Sequence, residues 1–248
     1  MSFAEADAAL AATPAATETF DQALVDGLPE PAARMLRHAI SAGAPLARSA
    51  RLQLSGSVVQ RGRRLALTAD ERLVPGVGFT WSARGTLGPL WVVVRDHYVE
   101  GSSAVDVRLL GVLPLGGERG EDTAASSRGR LAGESLWVPS GLLPGPAVTW
   151  HAVDGARARV DLSIAGATES VTFTVDPDGA VSEIAMQRWG DVGVDRPQRV
   201  PYGFRVLAER TFGGFTIASQ VKGGWWYGTD RYRPDQASTF TVTGAAYA

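Results

Sequence analysis

The chain has no cysteine, which excludes disulfides, thiolate nucleophiles, cysteine-ligated zinc and iron–sulfur clusters. Histidine is scarce, with His38, His97 and His151 too scattered for a histidine-rich metal site. Lys222 is the only lysine, and arginine supplies the other basic residues. No charge of one sign dominates: the net charge is −2, which argues against nucleic acid or an anionic membrane surface as partner. Long apolar runs are absent too. The first twenty residues, MSFAEADAALAATPAATETF, carry acids and lack a basic leader or an apolar stretch. They predict no signal peptide and no integral membrane segment, hence a cytoplasmic protein, as a monomer or homodimer.

Several signatures of chemistry are also missing. No G-x-x-x-x-G-K phosphate loop, no G-x-G-x-x-G turn between strand and helix, no G-x-S-x-G elbow and no H-E-x-x-H pair occurs. The Gly-rich GGERGED is acidic, the wrong sign for phosphate. These absences argue against a nucleotide enzyme, an α/β-hydrolase and a zincin, and they point to no cofactor. A hydrophobic fraction of 45% over 248 residues is enough for a substantial core.

What is present is a rhythm. After an Ala-rich start, which reads as two short helices broken near Pro14 with a fraying first dozen residues, LPEPAARMLRHAISA (28–42) repeats apolar residues at helical spacing and stops at Gly43. From Leu46 the chain turns to short, partly alternating runs separated by Gly, Pro and Ser, which read as an antiparallel meander. Asp154-Gly155 and Asp176-Pro177-Asp178-Gly179 are strong hairpin turns. The polar GGERGEDTAASSRGR (116–130) reads as a loop leading to a helix at 130–138, within RLAGESLWVPSGLLP. The expected architecture is α+β: a helical segment over 1–45 packing on a large curved antiparallel sheet over 46–248, with the 130–138 helix inserted.

Glu134 is the sharpest candidate for chemistry. Leu131, Trp137 and Val138 share its helical face, so it is either an ion pair, with Arg108, Arg130 or Arg188 as partner, or a buried acid with a raised pKa suited to proton transfer. In the run RDHYVEG, Asp96 and Tyr98 point one way and Arg95 and His97 the other. One coherent arrangement gathers Asp96, Tyr98, Asp106 and Arg108 on one face, either as a solvated ladder or as a binding-site wall. Seven tryptophans are many for this length; they build a large core or line a cavity. Candidate catalytic residues are Glu134, Asp96, His97 and Tyr98. Candidate ligand contacts are Trp81, Arg108, Trp137, Trp189, Trp225 and Tyr227.

The segments LPEPAARMLRHA, GFTWSAR, VRDHYVEG, RLLGVLPL, RLAGESLWVPSGLLP, VPYGFRV and GGWWYG occur in an order that resembles an uncharacterised bacterial family of the DUF6544/DUF6920 type, over about residues 28–247. The resemblance places motif positions at Trp81, Asp96, Tyr98, Gly101, Arg108, Gly111, Glu134, Trp137 and Pro139. It implies a LolA-like half-barrel, a fold used elsewhere for greasy ligands. Met35, His97 and Ser140-Gly141 depart from the family pattern, and His97 marks either an acquired activity or a tolerated substitution. Together these readings give binding of a hydrophobic small molecule in an aromatic-lined cavity. The alternatives are a cofactor-independent cyclase, isomerase or hydrolase at the same cavity, and a structural protein with a filled core.

Overall fold

A computed structural model of the chain describes residues 1–60, 63–87 and 90–248, and no side chain is described for Gln60 or Leu87. Strands β1 (Ala50–Gln60), β2 (Arg63–Val74), β3 (Gly78–Leu87), β4 (Leu90–Val99), β5 (Ser102–Leu109) and β6 (Leu113–Arg119) form one antiparallel meander. A second contains β7 (Val148–Ala152), β8 (Arg157–Ile164), β9 (Ala167–Val175), β10 (Val181–Gly190), β11 (Gln198–Phe212), β12 (Phe215–Trp225) and β13 (Ser238–Tyr247). β13 pairs with β1, so one sheet of thirteen strands runs β6 to β1, then β13 back to β7. The expected hairpin turns form. Asp154 Oδ1 accepts from the amides of Ala156 (2.9 Å) and Arg157 (2.8 Å), and Gly179 takes the φ of +96° that its turn needs.

Helix α1 spans Phe3–Ala11, α2 Glu30–Ala39 and α3 Glu121–Glu134. α3 joins the two edges of the sheet in sequence and crosses its inner face. Strands sit about 4.8 Å apart, so a flat sheet would hold β6 and β9 nearly 50 Å apart. A 14-residue helix is about 21 Å long, yet α3 touches β3, β4, β5 and β6 on one side and β9 and β10 on the other. The sheet is therefore curled into a half-barrel around α3. One buried cluster fills the concave side, drawing Leu52, Phe79 and Tyr98 from one meander, Val160, Phe173 and Ile217 from the other, and Leu36 from α2.

The helix differs from its expected span. The segment expected as a loop at 116–130 is the end of β6 followed by most of α3, and the chain tightens into 3-10 turns at Ser135–Trp137 and Pro139–Leu142. The physical reason lies in residue size. α3 buries Ser127, Gly129, Leu131, Ala132 and Gly133, a mostly small face that lets the helix lie close to the sheet but carries no stripe of large apolar residues. A Cβ at Gly129 would stand 3.0 Å from Arg188 Cγ, and one at Gly133 would stand 3.2 Å from Met186 Cε.

α1 is docked rather than frayed. It buries Ala6 and Leu10 on the outer face against Val74 and Val99, and Asp7 accepts from Arg72 Nε (2.8 Å) and Thr80 Oγ1 (3.0 Å). No helix among the described residues is long and apolar enough to cross a membrane.

Candidate functional site

Strand register builds the site. Glu71 of β2 lies opposite Trp81 of β3, which lies opposite Asp96 of β4. Directly paired residues of antiparallel strands share a face, so a carboxylate, an indole and a second carboxylate form a row on the concave side. Arg130 of α3 lies above that row. Its guanidinium carbon is 5.1 Å from the Trp81 ring centroid and 4.4 Å from that of Phe79. Nη2 donates to Glu71 (3.1 Å), Nη1 to Asp96 (2.8 Å) and Nε to Glu134 (2.7 Å), one helical turn further on. Glu134 is thus ion-paired to Arg130, one of its three expected partners.

Three carboxylates around one guanidinium leave two negative charges in excess if all are ionised. The surroundings of Glu71 oppose that full ionisation. Burial pushes Glu71 well above the usual carboxylate range, the Glu134 charge adds to the effect, and Arg130 only partly opposes it. Glu71 Oε2, Asp96 Oδ1 and Glu134 Oε2 are buried with no hydrogen-bond partner among the described residues. Burial alone would lower the proton affinity of Arg130, but the charges of Glu134, Glu71 and Asp96 outweigh it and raise that affinity above the ordinary arginine value. The guanidinium occupies the centre of the acids, and no group of three or more His, Asp or Glu side chains among the described residues is arranged to hold a metal.

This row forms one wall of a cavity of about 250 Å³. Trp81, Trp137, Tyr202, Phe204 and Phe240 supply its aromatic surface, Leu54, Val58, Leu136 and Val221 its aliphatic surface, and Arg188 a second positive group. Strands of both meanders contribute. Trp137 is fixed by its indole N–H donating to Ala218 O at 3.0 Å.

Of the expected site residues, Glu134, Asp96, Trp81 and Trp137 meet at this cavity. Tyr98 faces inward, one of the two placements left open, but it is fully buried beside the cavity with no partner for its hydroxyl among the described residues, and burial raises its pKa. His97 lies on the outer face with its ring 6.2 Å from that of Phe3 in α1, and burial lowers its pKa. The common face for Asp96, Tyr98, Asp106 and Arg108 is corrected by the register: Asp96 pairs with Val105 and Arg95 with Asp106. Asp106 and Arg108 therefore share the outer face and bond to each other at 2.6 Å. Trp189 donates its indole N–H to Asp122 at 2.8 Å, away from the cavity lining. Trp225 stands behind the cavity, its ring centroid 4.9 Å from that of Tyr202. Tyr227 donates to Glu183 at 2.9 Å and lines a separate groove with Arg159 and Tyr202, and burial raises its pKa.

Sequence reasoning missed Glu71, the central place of Arg130, and the aromatic side chains Tyr202, Phe204 and Phe240. A signal for Glu71 exists. Leu67, Ala69, Glu71 and Leu73 alternate along one strand face, so the glutamate sits in an apolar row. A second buried acid, Glu169, is held by Arg128 Nε (2.8 Å) and by Arg199 Nη1 (2.8 Å). Residues 128 and 130 are two apart and therefore emerge on opposite flanks of α3, so one arginine grips each meander.

The model of a family of unknown function, DUF6544, matches residues 18–234. No curated protein matches the chain. Among solved structures, the chain is similar to a LolA superfamily protein from Nitrosomonas europaea at 7% identity and a TM-score of 0.46, over 88% of this chain and 92% of that one. It is also similar to a DUF1329 family protein from Desulfovibrio piger at 11% identity and a TM-score of 0.44, over 88% and 90%.

Proposed function

We propose that this chain, which belongs to the DUF6544 family of unknown function, binds a compact and mainly apolar small molecule in the cavity beneath α3. The observation that carries this reading is the cavity itself. About 250 Å³ of space is enclosed by five aromatic and four aliphatic side chains, with its charged groups gathered at defined positions. Ligand sites have this anatomy of apolar walls with a few placed polar groups. The volume equals the liquid share of roughly eight waters and suits a ligand of about ten non-hydrogen atoms, or the end of a longer one.

Trp81 and Trp137 line the cavity and report on its contents. Titration with 4-phenylbutan-1-ol and similar neutral compounds is expected to give a saturable change in tryptophan fluorescence. Val221→Phe, which fills the cavity, should abolish that change while the variant stays folded by circular dichroism. Absence of saturable binding across such a series in the unmodified protein would sink the reading.

A second reading, cofactor-independent acid–base catalysis at the same wall, is favoured by one observation. Glu71 is a buried carboxyl whose pKa is pushed well above the ordinary range by burial, and it lies beside a second carboxyl, that of Glu134. Its test is turnover: a substrate conversion that disappears in both Glu71→Gln and Glu134→Gln supports it, and conversion that survives both substitutions removes it.

A further inference from the structure

Among the charged groups of the cavity, Arg188 stands apart. Arg130 is enclosed by three carboxylates, and Arg128 and Arg199 share Glu169. Arg188 has no carboxylate within ion-pair distance among the described residues. Its polar contacts are with one residue: Nε donates to Ser126 O at 3.1 Å, and Nη2 lies 3.5 Å from Ser126 Oγ. Its guanidinium carbon lies 4.7 Å from the ring centroid of Tyr202 and 5.0 Å from that of Trp225. The hydrogen bond and the two flanking rings hold the group in place, and Nη1 has no hydrogen-bond partner among the described residues. The place is structurally provided for, because Gly129 of α3 leaves room for the Arg188 side chain, which a Cβ would approach to 3.0 Å.

We propose that Arg188 receives the acidic head of the ligand, and that the ligand is a compact apolar monocarboxylic acid. This inference rests on the binding function proposed above and specifies its chemistry. A guanidinium held in place with a free edge matches the two oxygens of a carboxylate. It is also held in an apolar surround where a charge-assisted bond is stronger than in water. The Arg130 cluster does not compete for this role: its positive charge is already answered by three acids, and its excess charge is negative. That excess also selects for one negative charge on the ligand over two, since both groups line the same small cavity. The apolar body of the acid then lies against Trp137, Phe204 and Phe240.

Three compounds with one skeleton separate the possibilities: 4-phenylbutyrate, 4-phenylbutan-1-ol and 4-phenylbutylamine, each titrated calorimetrically at neutral pH. The acid is expected to bind about tenfold or more tighter than the alcohol, and the amine more weakly than either. Arg188→Gln should bring the acid to the level of the alcohol, and Arg188→Lys should restore part of the difference. Equal binding of acid and alcohol overturns the assignment of Arg188 but leaves the apolar cavity standing. A preference for the amine overturns it in favour of the carboxylate wall. No binding by any of the three removes both readings. If Arg188→Gln does not fold, the ranking of the three compounds on the unmodified protein still decides.

Discussion

Arg130 of α3 donates to Glu71 of β2 at 3.1 Å, and the Glu71 side chain is 0% exposed. A helix and a strand distant in sequence thus share a polar contact at the cavity wall whose acid side is wholly buried. The same guanidinium answers Asp96 and Glu134, so its removal leaves three acids facing one another. Removing one partner of a buried pair typically costs about 3–5 kcal/mol. Arg130→Met should lose stability of about that size in urea denaturation, and adding Glu134→Gln should recover part of it. A loss below roughly 1 kcal/mol would show that the cluster is not load-carrying for the fold.

Glu71 gives the fold a pH dependence of defined sign. Its carboxyl has an ordinary value of 4.5 and is raised well above that in the folded state by burial and by Glu134. Above 4.5 the folded chain therefore binds more protons at this position than the unfolded chain, and stability falls as pH rises. The contribution is fully present below the ordinary value and erodes as pH climbs toward the folded value. Glu71→Gln does not titrate. The stability of the variant relative to the parent should rise as pH climbs above the ordinary value of 4.5, measured by urea denaturation at each pH. A gap that is constant or moves the other way contradicts a proton held on Glu71.

Two glycines, Gly133 in the cavity wall and Gly141 in the 3-10 turn that follows, should respond in opposite directions to alanine. At Gly133 the nearest obstacle is Met186 Cε at 3.2 Å, the free end of a flexible side chain. The helix gains up to about 1 kcal/mol from the change, so Gly133→Ala should raise the melting temperature. At Gly141 a Cβ would meet Pro75 Cβ at 2.4 Å, within a rigid ring. Gly141→Ala should cost about 1–3 kcal/mol. Thermal melts of the two variants settle both signs.

Trp137 combines a buried ring with a single polar handle. Trp137→Phe keeps most of the apolar contact but leaves Ala218 O without the donor now at 3.0 Å. A loss of about 1–3 kcal/mol is expected in chemical denaturation, together with weaker binding of neutral probes to the enlarged cavity. Unchanged stability would mean that the carbonyl finds another donor.

Much of this was legible from local pattern. The meanders follow from alternating runs and from turns such as Asp176–Gly179, because side-chain alternation and turn chemistry are short-range properties. The common face of Asp96 and Tyr98, and the place of Glu134 at a cavity wall, follow from periodicity within single elements. What lay beyond reach depends on register between elements. Glu71 sits in the run Ala-Asp-Glu-Arg-Leu, where alternation with Leu67, Ala69 and Leu73 signals its face but not its neighbours, which the pairing with Trp81 and Asp96 sets. The pairing of Asp106 with Arg95, rather than alignment with Asp96, is likewise set by the β4–β5 turn. α3 was half hidden because its buried face is made of Ser, Gly and Ala, residues whose contribution is close approach rather than bulk.

The junction between β1 and β13 has a consequence for how the cavity comes into being. Every other strand pairing joins neighbours in sequence, so each meander can zip up through short loops. This one ladder unites residues as far apart in sequence as Ala50 and Tyr247. Closing it carries the largest chain-entropy cost of the sheet and is paid in a single step. Leu54 and Val58 line the cavity from one side of that ladder, Ser238 and Phe240 from the other. The pocket does not exist in either meander alone, so a molecule bound there would add its affinity to the one strand pairing that joins distant segments of the chain.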